Sequence, residues 1–445
     1  MFSLRKVVSI LLTVVMLFLL TGCLGGRGFL EDDDFLAPPK PSGEMLYIKE
    51  TLESAVTGKF SLKYPTAGEY RSAYIMCDLM TSGKENFALA FYSMIDEENV
   101  TSMHLNLMKK VDSAWVSISD VSLAALGVEK LQILDLNGDG IKEIIVGWNI
   151  YGDVDKSVTV YTLKGLALAP ILSEDYSDFI CFDMEQNGKA NLFVLRHNPS
   201  EGKADAKLFA FLDDKVVNKG SCLLDGQVTS FYTPVVSTLS NGKPAIFLDA
   251  AKGTGTQTEV VFLKNGILER GNFENEESTT LSTYRNSSVL CNDINVDGKY
   301  DIPLGDSSLI FHPEEYKKTS APMIKWSSFN GSAFDISTFA AMNYTDGYYL
   351  EIPVRWYGKI TVDSVVDART YTVSIWETEK SNLVGEILKI RTVTESEWDA
   401  DNNGFSNYFE VVRSENLVYI AAIGNYTGTE KVSVDEVKKL VHIIK

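Results

Sequence analysis

The 445-residue sequence is poor in the residues on which metal-dependent and thiol-dependent enzymes rely. It contains only four histidines and five cysteines. No two histidines have the HExxH spacing, no two cysteines form a CxxC pair, and no GxSxG elbow is present. These absences exclude the zincin metalloproteases, the paired-cysteine zinc modules and the nucleophile-elbow hydrolases.

Basic residues are also scarce relative to acidic ones. The chain has 41 Lys and Arg against 60 Asp and Glu, for a net charge of −19. This balance argues against a nucleic-acid partner and against electrostatic binding to anionic lipid headgroups. It suits a protein that collects cations. An apolar content of 45% with 23% charged residues is typical of a globular chain.

The N-terminus carries a long, uncharged apolar run whose only polar residues are Ser9 and Thr13. Arg5 and Lys6 precede the run, which covers the 14 residues from 7 to 20. As a helix this run measures about 21 Å. It is therefore shorter than a hydrocarbon core of about 30 Å. A basic start followed by a short apolar run predicts a signal peptide over residues 1–22.

The run ends in Leu20-Thr21-Gly22-Cys23, which resembles the lipobox of bacterial lipoproteins. The resemblance implies cleavage before Cys23 and acylation of its thiol, with palmitate among the fatty acids. Two or more acyl chains anchor a protein stably, so the predicted partner here is a membrane. A secreted protein with an incidental Cys23 and an uncleaved anchor are the alternatives.

Residues 23–44 are rich in Gly, Pro and acidic residues and are predicted to be a flexible linker. Leu24 follows the cysteine where an inner-membrane retention signal would have Asp. We therefore expect a lipid anchor on the extracytoplasmic face of a cell membrane, exposed at the cell surface of a Gram-positive bacterium.

The other four cysteines, Cys77, Cys181, Cys222 and Cys291, are widely spaced. Three of them lie just before polar loops, at the ends of apolar strands. We expect them to be buried as small apolar residues. A Cys181–Cys222 disulfide remains open in an oxidising compartment.

Five segments of the chain repeat one layout, in which an apolar strand leads through a polar loop with a late glycine to a second apolar strand. The glycines are separated by 57, 48, 54 and 56 residues, and they are Gly83, Gly140, Gly188, Gly242 and Gly298. Each unit has room for about four strands, and no long helical pattern interrupts them. The repeat predicts a mainly β fold, namely a β-propeller of about five four-stranded blades over 45–340. Strands near 46–64 and 323–336 are expected to close the ring.

The repeat stops near residue 343. Alternating apolar and polar residues predict antiparallel strands, and a final helix is expected to begin after Ser433 with Glu436 in a capping box. The sequence "GYYLEIPVRWYGKITV" loosely resembles a small α+β domain of exported proteins of Gram-positive bacteria. We therefore predict an α+β domain over 343–445.

The second loop (135–143) and the fifth (293–301) place oxygen-bearing side chains at positions 1, 3, 5 and 9, with glycine at position 6. A backbone carbonyl is available at position 7. Alternate side chains turn inward and the glycine lets the chain double back, as in an oxygen cage for calcium. Position 12 lacks the glutamate of an EF-hand. Tight turns without metal are the alternative, since Asp, Asn and Gly also favour them.

At these residues the chain resembles the FG-GAP/VCBS repeat family, calcium-loop propellers related to integrin α-chain heads, over about residues 70–310. The resemblance implies structural Ca²⁺ as the cofactor. The implied ligands are Asp135, Asn137, Asp139, Ile141 through its carbonyl, Glu143, Asp293, Asn295, Asp297, Lys299 through its carbonyl, and Asp301. Weaker candidates lie in the third loop, namely Asp183, Glu185, Asn187 and Asn191.

Two functions remain open from the sequence. Repeats without a linear catalytic motif favour a non-enzymatic module that binds a protein or glycan partner and serves as a scaffold. An envelope hydrolase or lyase is the alternative, since an axial funnel can gather carboxylates from several blades. An accessory role in envelope assembly or sporulation is compatible with the first function.

Overall fold

The computed structural model describes residues 43–95, 100–151, 155–212, 215–271, 283–304, 321–377, 382–400 and 403–444. The predicted signal peptide, Cys23 and nearly all of the predicted linker lie outside these residues. Within the described chain no helix is long and apolar enough to cross a membrane.

The described chain is mainly β, with six antiparallel sheets and three short α-helices. The first sheet contains β1 (Phe60–Lys63), β2 (Tyr74–Cys77), β3 (Phe87–Ile95), β4 (Thr101–Val111) and β5 (Ala114–Leu123). The second contains β6 (Ala125–Leu134), β7 (Glu143–Ile150), β8 (Lys156–Lys164) and β9 (Ala167–Asp175). The third contains β10 (Asp178–Phe182), β11 (Asn191–Asn198), β12 (Lys203–Leu212) and β13 (Lys215–Leu224).

The later sheets follow in chain order. The fourth contains β14 (Ser230–Phe231), β15 (Val235–Thr238), β16 (Pro244–Lys252), β17 (Gly255–Lys264) and β18 (Ile267–Arg270). The fifth begins with β19 (Asp301–Leu304), β20 (Met323–Phe329), β21 (Phe334–Asn343) and β22 (Tyr348–Glu351). The sixth contains β23 (Ile360–Val365), β24 (Thr370–Glu377), β25 (Asn382–Thr394), β26 (Phe409–Ser414) and β27 (Leu417–Ile423). A last strand, β28 (Val441–Ile443), returns to the fifth sheet beside β22.

The helices are α1 (Glu44–Ala55), α2 (Glu395–Asp399) and α3 (Val434–Leu440), with 3₁₀ turns at Val354–Trp356 and Asn403–Phe405. Helix α1 buries Ile48 and Leu52 completely against the first sheet. The expectation of strands from residue 46 is therefore wrong for the first part of that segment. Spacing by four residues puts both apolar side chains on one face of a helix.

The sheets pack face to face in chain order through apolar clusters. One cluster joins the first and second sheets, another the second and third, and a larger one the third, fourth and fifth. Fully burying one Leu, Ile or Phe stabilises the fold by about 1.5–3 kcal/mol, so these clusters dominate the packing. Antiparallel sheets of four or five strands in this succession are typical of propeller blades, which confirms the predicted mainly β propeller. Among the described residues no apolar cluster joins the fifth sheet to the first.

The C-terminal sheet packs on the fifth sheet through another apolar cluster, which includes Trp356, Val362 and Leu388. The fifth sheet also extends past the predicted boundary, because β22 pairs with β21 and β28 pairs with β22. Helix α3 begins after Ser433, whose side chain accepts from the Glu436 N–H as predicted. The Glu436 carboxylate pairs with Arg355, so the returning bond of the predicted capping box is not formed.

All four described cysteines are free, and Cys77 and Cys291 are buried as expected. The bridge between Cys181 and Cys222 does not form. Their strands, β10 and β13, are the two edges of the third sheet, with β11 and β12 between them. Three inter-strand steps span roughly 14 Å, whereas a disulfide requires Cα atoms within about 7 Å.

Candidate functional site

The five repeated loops lie side by side along one edge of the sheets. The Thr81 hydroxyl in the first loop donates to the Gly140 carbonyl in the second. A Cβ added to Gly138 in the second loop would lie 2.9 Å from Cε of Lys189 in the third. The Thr238 hydroxyl in the fourth loop donates to the Gly298 carbonyl in the fifth, at 3.1 Å. The repeat therefore brings the first three loops together and places the fourth beside the fifth, and we call this set of loops the loop row.

One hydrogen bond recurs in four of these loops, between the aspartate at position 1 and the glycine N–H at position 6. Its length is 2.6 Å in the first loop, 2.9 Å in the second, 2.7 Å in the third and 2.8 Å in the fifth. The glycine adopts a positive φ in every loop. The repeat pattern thus encodes a left-handed turn closed by a carboxylate.

The second loop turns its predicted ligand oxygens inward. Asp135 accepts from the Gly138 N–H at 2.6 Å, and Asn137 accepts from the Asp139 N–H at 2.8 Å. Asp139 in turn accepts from the Ile141 N–H at 2.7 Å. Backbone amides therefore hold the side chains that the sequence predicts as calcium ligands.

Glu143 at position 9 is the most buried acid of this loop, with 1% of its surface exposed. Its carboxylate accepts from the Leu136 N–H at 2.9 Å and from the Thr162 hydroxyl at 3.3 Å. Burial raises the pKa of Glu143 to about 7, the Leu136 hydrogen bond opposes the shift, and the Asp139 carboxylate adds to it. A cation beside these carboxylates would relieve their mutual repulsion.

The fifth loop has the same arrangement. The Asp297 N–H lies 2.9 Å from Oδ1 of Asp293 and 3.1 Å from Oδ1 of Asn295. The Lys299 N–H donates to Asp297 at 2.9 Å. Asp301 begins β19 and is 1% exposed. Its place matches that of Glu143 at the start of β7.

The third loop replaces the buried acid with an amide. Asn191 is 2% exposed and its Oδ1 accepts from the Met184 N–H at 3.0 Å. Its amide nitrogen donates to Glu185 at 3.2 Å, while Asn187 accepts from the Lys189 N–H at 2.9 Å. Glu185 is also paired with Lys219 at 2.8 Å. This lysine reduces the charge available to a cation in the third loop.

Position 2 of the acid-bearing loops holds an apolar residue that enters the core. Leu79, Leu136, Met184 and Ile294 are all at most 4% exposed. Leu136 packs in the cluster between the second and third sheets, and Met184 in the one that includes the fourth. The first three loops are thereby fixed to the packing between sheets, whereas Ile294 fixes the fifth loop to the fifth sheet alone.

The predicted metal ligands of the second and fifth loops are hard oxygen atoms, which calcium prefers. Across the described residues, however, no group of three Cys, His, Asp or Glu side chains converges as a metal site. Asp135, Asn137 and Asp139 each accept backbone N–H groups and keep lone pairs that a calcium ion could use. The ligand set fits the ion chemically, and the calcium site stays a prediction.

A polar cluster on the first sheet went unnoticed in the sequence. His104 Nδ1 lies 2.8 Å from Oδ1 of Asp120, and its Nε2 lies 3.1 Å from the Ser102 hydroxyl. Tyr92 stacks on the imidazole with ring centroids 4.6 Å apart and donates to Asp120 at 2.7 Å. Alternation on β4 places Ser102 and His104 on one face, but the register with β5 that brings in Asp120 has no linear signature.

Comparison with known proteins identifies no relative by sequence, since neither a protein-family model nor a curated protein matches this chain. Solved structures with a similar arrangement include a Bacillus licheniformis rhamnogalacturonan lyase at 12% identity, covering 82% of this chain and 89% of that one, with a TM-score of 0.28. The Dos1 propeller matches at 9% identity and a TM-score of 0.28, covering 81% of each chain. Sequence identities and TM-scores this low do not indicate a shared activity.

Proposed function

We propose that this chain is a lipid-anchored binding module on the extracytoplasmic face of a cell membrane. In this proposal Cys23 carries the acyl anchor, residues 24–43 lift the folded part off the membrane, and the propeller binds a protein or glycan partner. Calcium in the second and fifth loops stiffens the scaffold. The resemblance of these loops to FG-GAP/VCBS repeats motivates the calcium.

The loop row is the observation that carries this proposal. Each acid-bearing loop buries its second residue in the core, and contacts join the first loop to the second, the second to the third and the fourth to the fifth. An ion bound in the second loop would therefore stabilise the packing between the second and third sheets as well as the loop itself. This is the behaviour expected of a structural cation, which extracellular calcium concentrations could supply.

The anchor is tested by metabolic labelling of producing cells with an alkyne palmitate analogue, followed by membrane fractionation. The native chain should incorporate label and sediment with membranes, and Cys23→Ser should do neither. Cys77→Ser is the matched control, because its thiol is buried in the first sheet. An unlabelled native chain in the soluble fraction would overturn the anchor.

Partner binding is tested separately by co-sedimentation of the purified chain with isolated cell envelopes. We expect retention in calcium that falls with chelator, and weaker retention for a chain with both Asp139→Asn and Asp297→Asn. If chelator and both substitutions left retention unchanged, partner binding would not depend on calcium in these loops. Absence of retention in calcium would remove the binding role.

A second candidate is a hydrolase that uses Ser102, His104 and Asp120. Their order matches a triad in which the serine hydroxyl attacks, the imidazole takes its proton and the carboxylate orients the ring. Acyl transfer also requires N–H donors for the oxyanion. In the described chain Ser102 lies opposite Met94 within the β3–β4 ladder, where backbone amides pair between strands. The geometry therefore favours the binding module.

Hydrolysis of p-nitrophenyl acetate tests the second candidate. If the triad is active, Ser102→Ala and His104→Gln abolish turnover, while Ser122→Ala, exposed on the adjacent strand, retains it. Equal rates in all four proteins would eliminate this candidate.

A further inference from the structure

The C-terminal sheet has one apolar face and one polar face. Ile360, Val362 and Val373 are fully buried against the fifth sheet. On the opposite face, Thr361 lies beside Ser374 and Ser374 beside Glu386, across three adjacent strands. The next row places Asp363 beside Thr372. A compact set of hydroxyl and carboxylate groups thus faces away from the core.

These side chains line a cavity of about 340 Å³. Its wall combines Thr361, Asp363, Glu386 and Asn425 with the aliphatic Leu383 and Val384. Leu383 is 42% exposed and Val384 is 50% exposed. The cavity therefore presents polar groups on its floor and apolar surface at its rim.

Two polar atoms of this cavity lack a hydrogen bond within the described chain. They are the Thr361 hydroxyl, on a residue with only 2% of its surface exposed, and Oδ1 of Asp363. A buried hydroxyl without a partner destabilises a fold relative to one that is paired. A bound ligand that pairs with the Thr361 hydroxyl and the Asp363 carboxylate would remove this cost.

The backbone around the cavity is also specialised. Strand β25 contains two irregularities, at which Ile387 and Val384 have no partner on β24. Bulges of this kind redirect side chains and are frequent beside binding sites. On the other side of β25, Oδ1 of Asn425 accepts from the Glu386 N–H at 3.1 Å, which fixes the asparagine at the cavity wall.

We propose that this cavity binds one neutral sugar ring of a surface glycan. Ring hydroxyls both donate and accept, so they can pair with the Asp363 carboxylate and the Thr361 hydroxyl. Glu386 is paired with Lys389 at 3.0 Å, which leaves Asp363 as the main acceptor without an ion-pair partner in this wall. Leu383 and Val384 would cover the C–H face of the ring. The volume lies at the lower end of ligand pockets, which suits a single ring.

Saturation-transfer NMR on the purified full chain tests this site with D-glucose, D-galactose and N-acetyl-D-glucosamine as probes. We expect transfer to the ring protons of at least one sugar. It should be lost in Thr361→Val and in Asp363→Asn. Asp367→Asn and Thr427→Val, at exposed positions outside the cavity, should retain it.

Thr361→Val also has a second readout, the thermal midpoint of the sugar-free chain. Replacing an unpaired buried hydroxyl with a methyl group should raise this midpoint while sugar binding is lost. Three results would overturn the proposal: no transfer to any sugar from the native chain, equal transfer in the cavity variants, or transfer only to a cationic amine such as ethanolamine. These readouts depend on neither the anchor nor calcium.

Discussion

The backbone N–H of Leu136 donates a hydrogen bond of 2.9 Å to Oε2 of Glu143 and closes the second loop. The third loop makes the same closure between Met184 and the neutral side chain of Asn191, at 3.0 Å. An acceptor at position 9 is therefore sufficient to close the loop. We propose that the negative charge of Glu143 serves calcium binding.

Glu143→Gln separates these two roles. The amide oxygen keeps the acceptor, and the change removes a carboxylate whose pKa burial raises to about 7. In chelator the variant should be as stable as the native chain or slightly more stable. In calcium it should gain less stability than the native chain. Thermal unfolding under both conditions measures this, and Glu85→Gln, exposed in the first loop, is the control.

A buried ion pair holds the segment before the fifth loop against the fourth sheet. Arg285 and Asp249 lie 3.0 Å apart and are 1% and 8% exposed, and Asp249 also accepts from the Cys291 N–H at 2.8 Å. Removing one partner leaves a buried charge, so Arg285→Met should cost about 3–5 kcal/mol of unfolding free energy.

Asp249→Asn should cost a similar amount, and the double variant should cost less than the sum in urea unfolding. Lys203→Met is the control. It breaks an exposed pair with Glu201 at 2.7 Å and should change stability by less than about 1 kcal/mol. Additive effects of the two buried substitutions would contradict direct coupling.

Gly424 packs closely against the backbone of Glu386, which lines the C-terminal cavity. A Cβ there would overlap the backbone carbonyl of Glu386, whereas a Cβ at Gly404 would have no neighbour within 4 Å. Gly424→Ala should therefore cost about 1–3 kcal/mol, since backbone must move. Gly404→Ala should be nearly neutral. Equal effects in chemical denaturation would mean that the close approach of the two backbones is not required.

The Glu430 carboxylate should make the C-terminal sheet sensitive to acid. Hydrogen bonds from Lys359 and Tyr426, each 2.7 Å long, lower the pKa of Glu430 from 4.5 to about 2. A lowered pKa stabilises the fold above pH 4.5, and this contribution is lost as the pH falls toward 2.

Glu430→Gln should therefore cost about 1–2 kcal/mol at neutral pH and progressively less below pH 4.5. Unfolding free energies measured from pH 6 downward test this. The exposed Glu415→Gln is the control. An identical pH dependence in native and Glu430→Gln chains would show that this ion pair does not contribute.

The sequence predicted the parts of the fold that repeat. The aligned glycines all adopt a positive φ, because each loop requires the same left-handed turn. The strands on either side of these loops were predicted from their apolar residues. Asp135, Asn137 and Asp139 lie on one turn, where each accepts a backbone N–H, and their role as calcium ligands stays a prediction.

Features that depend on pairing between distant segments could not be predicted. Helix α1 covers the first sheet with only two fully buried residues, which is a weak periodic signal. Strand β28 joins the fifth sheet from the far end of the chain. Asp120 meets His104 only through strand register. Thr361 and Asp363 alternate with apolar residues, as in any half-buried strand. Only the structure shows that both side chains face a cavity.

Calorimetric titration of the chelator-treated chain with calcium shows whether the second and fifth loops bind the ion. We predict two binding events, of which Asp139→Asn removes one and Asp297→Asn the other, while Asp78→Asn in the first loop leaves both. Thermal unfolding should show a higher midpoint in calcium for the native chain. The absence of both binding heat and a calcium-dependent midpoint in the folded native chain would contradict the account.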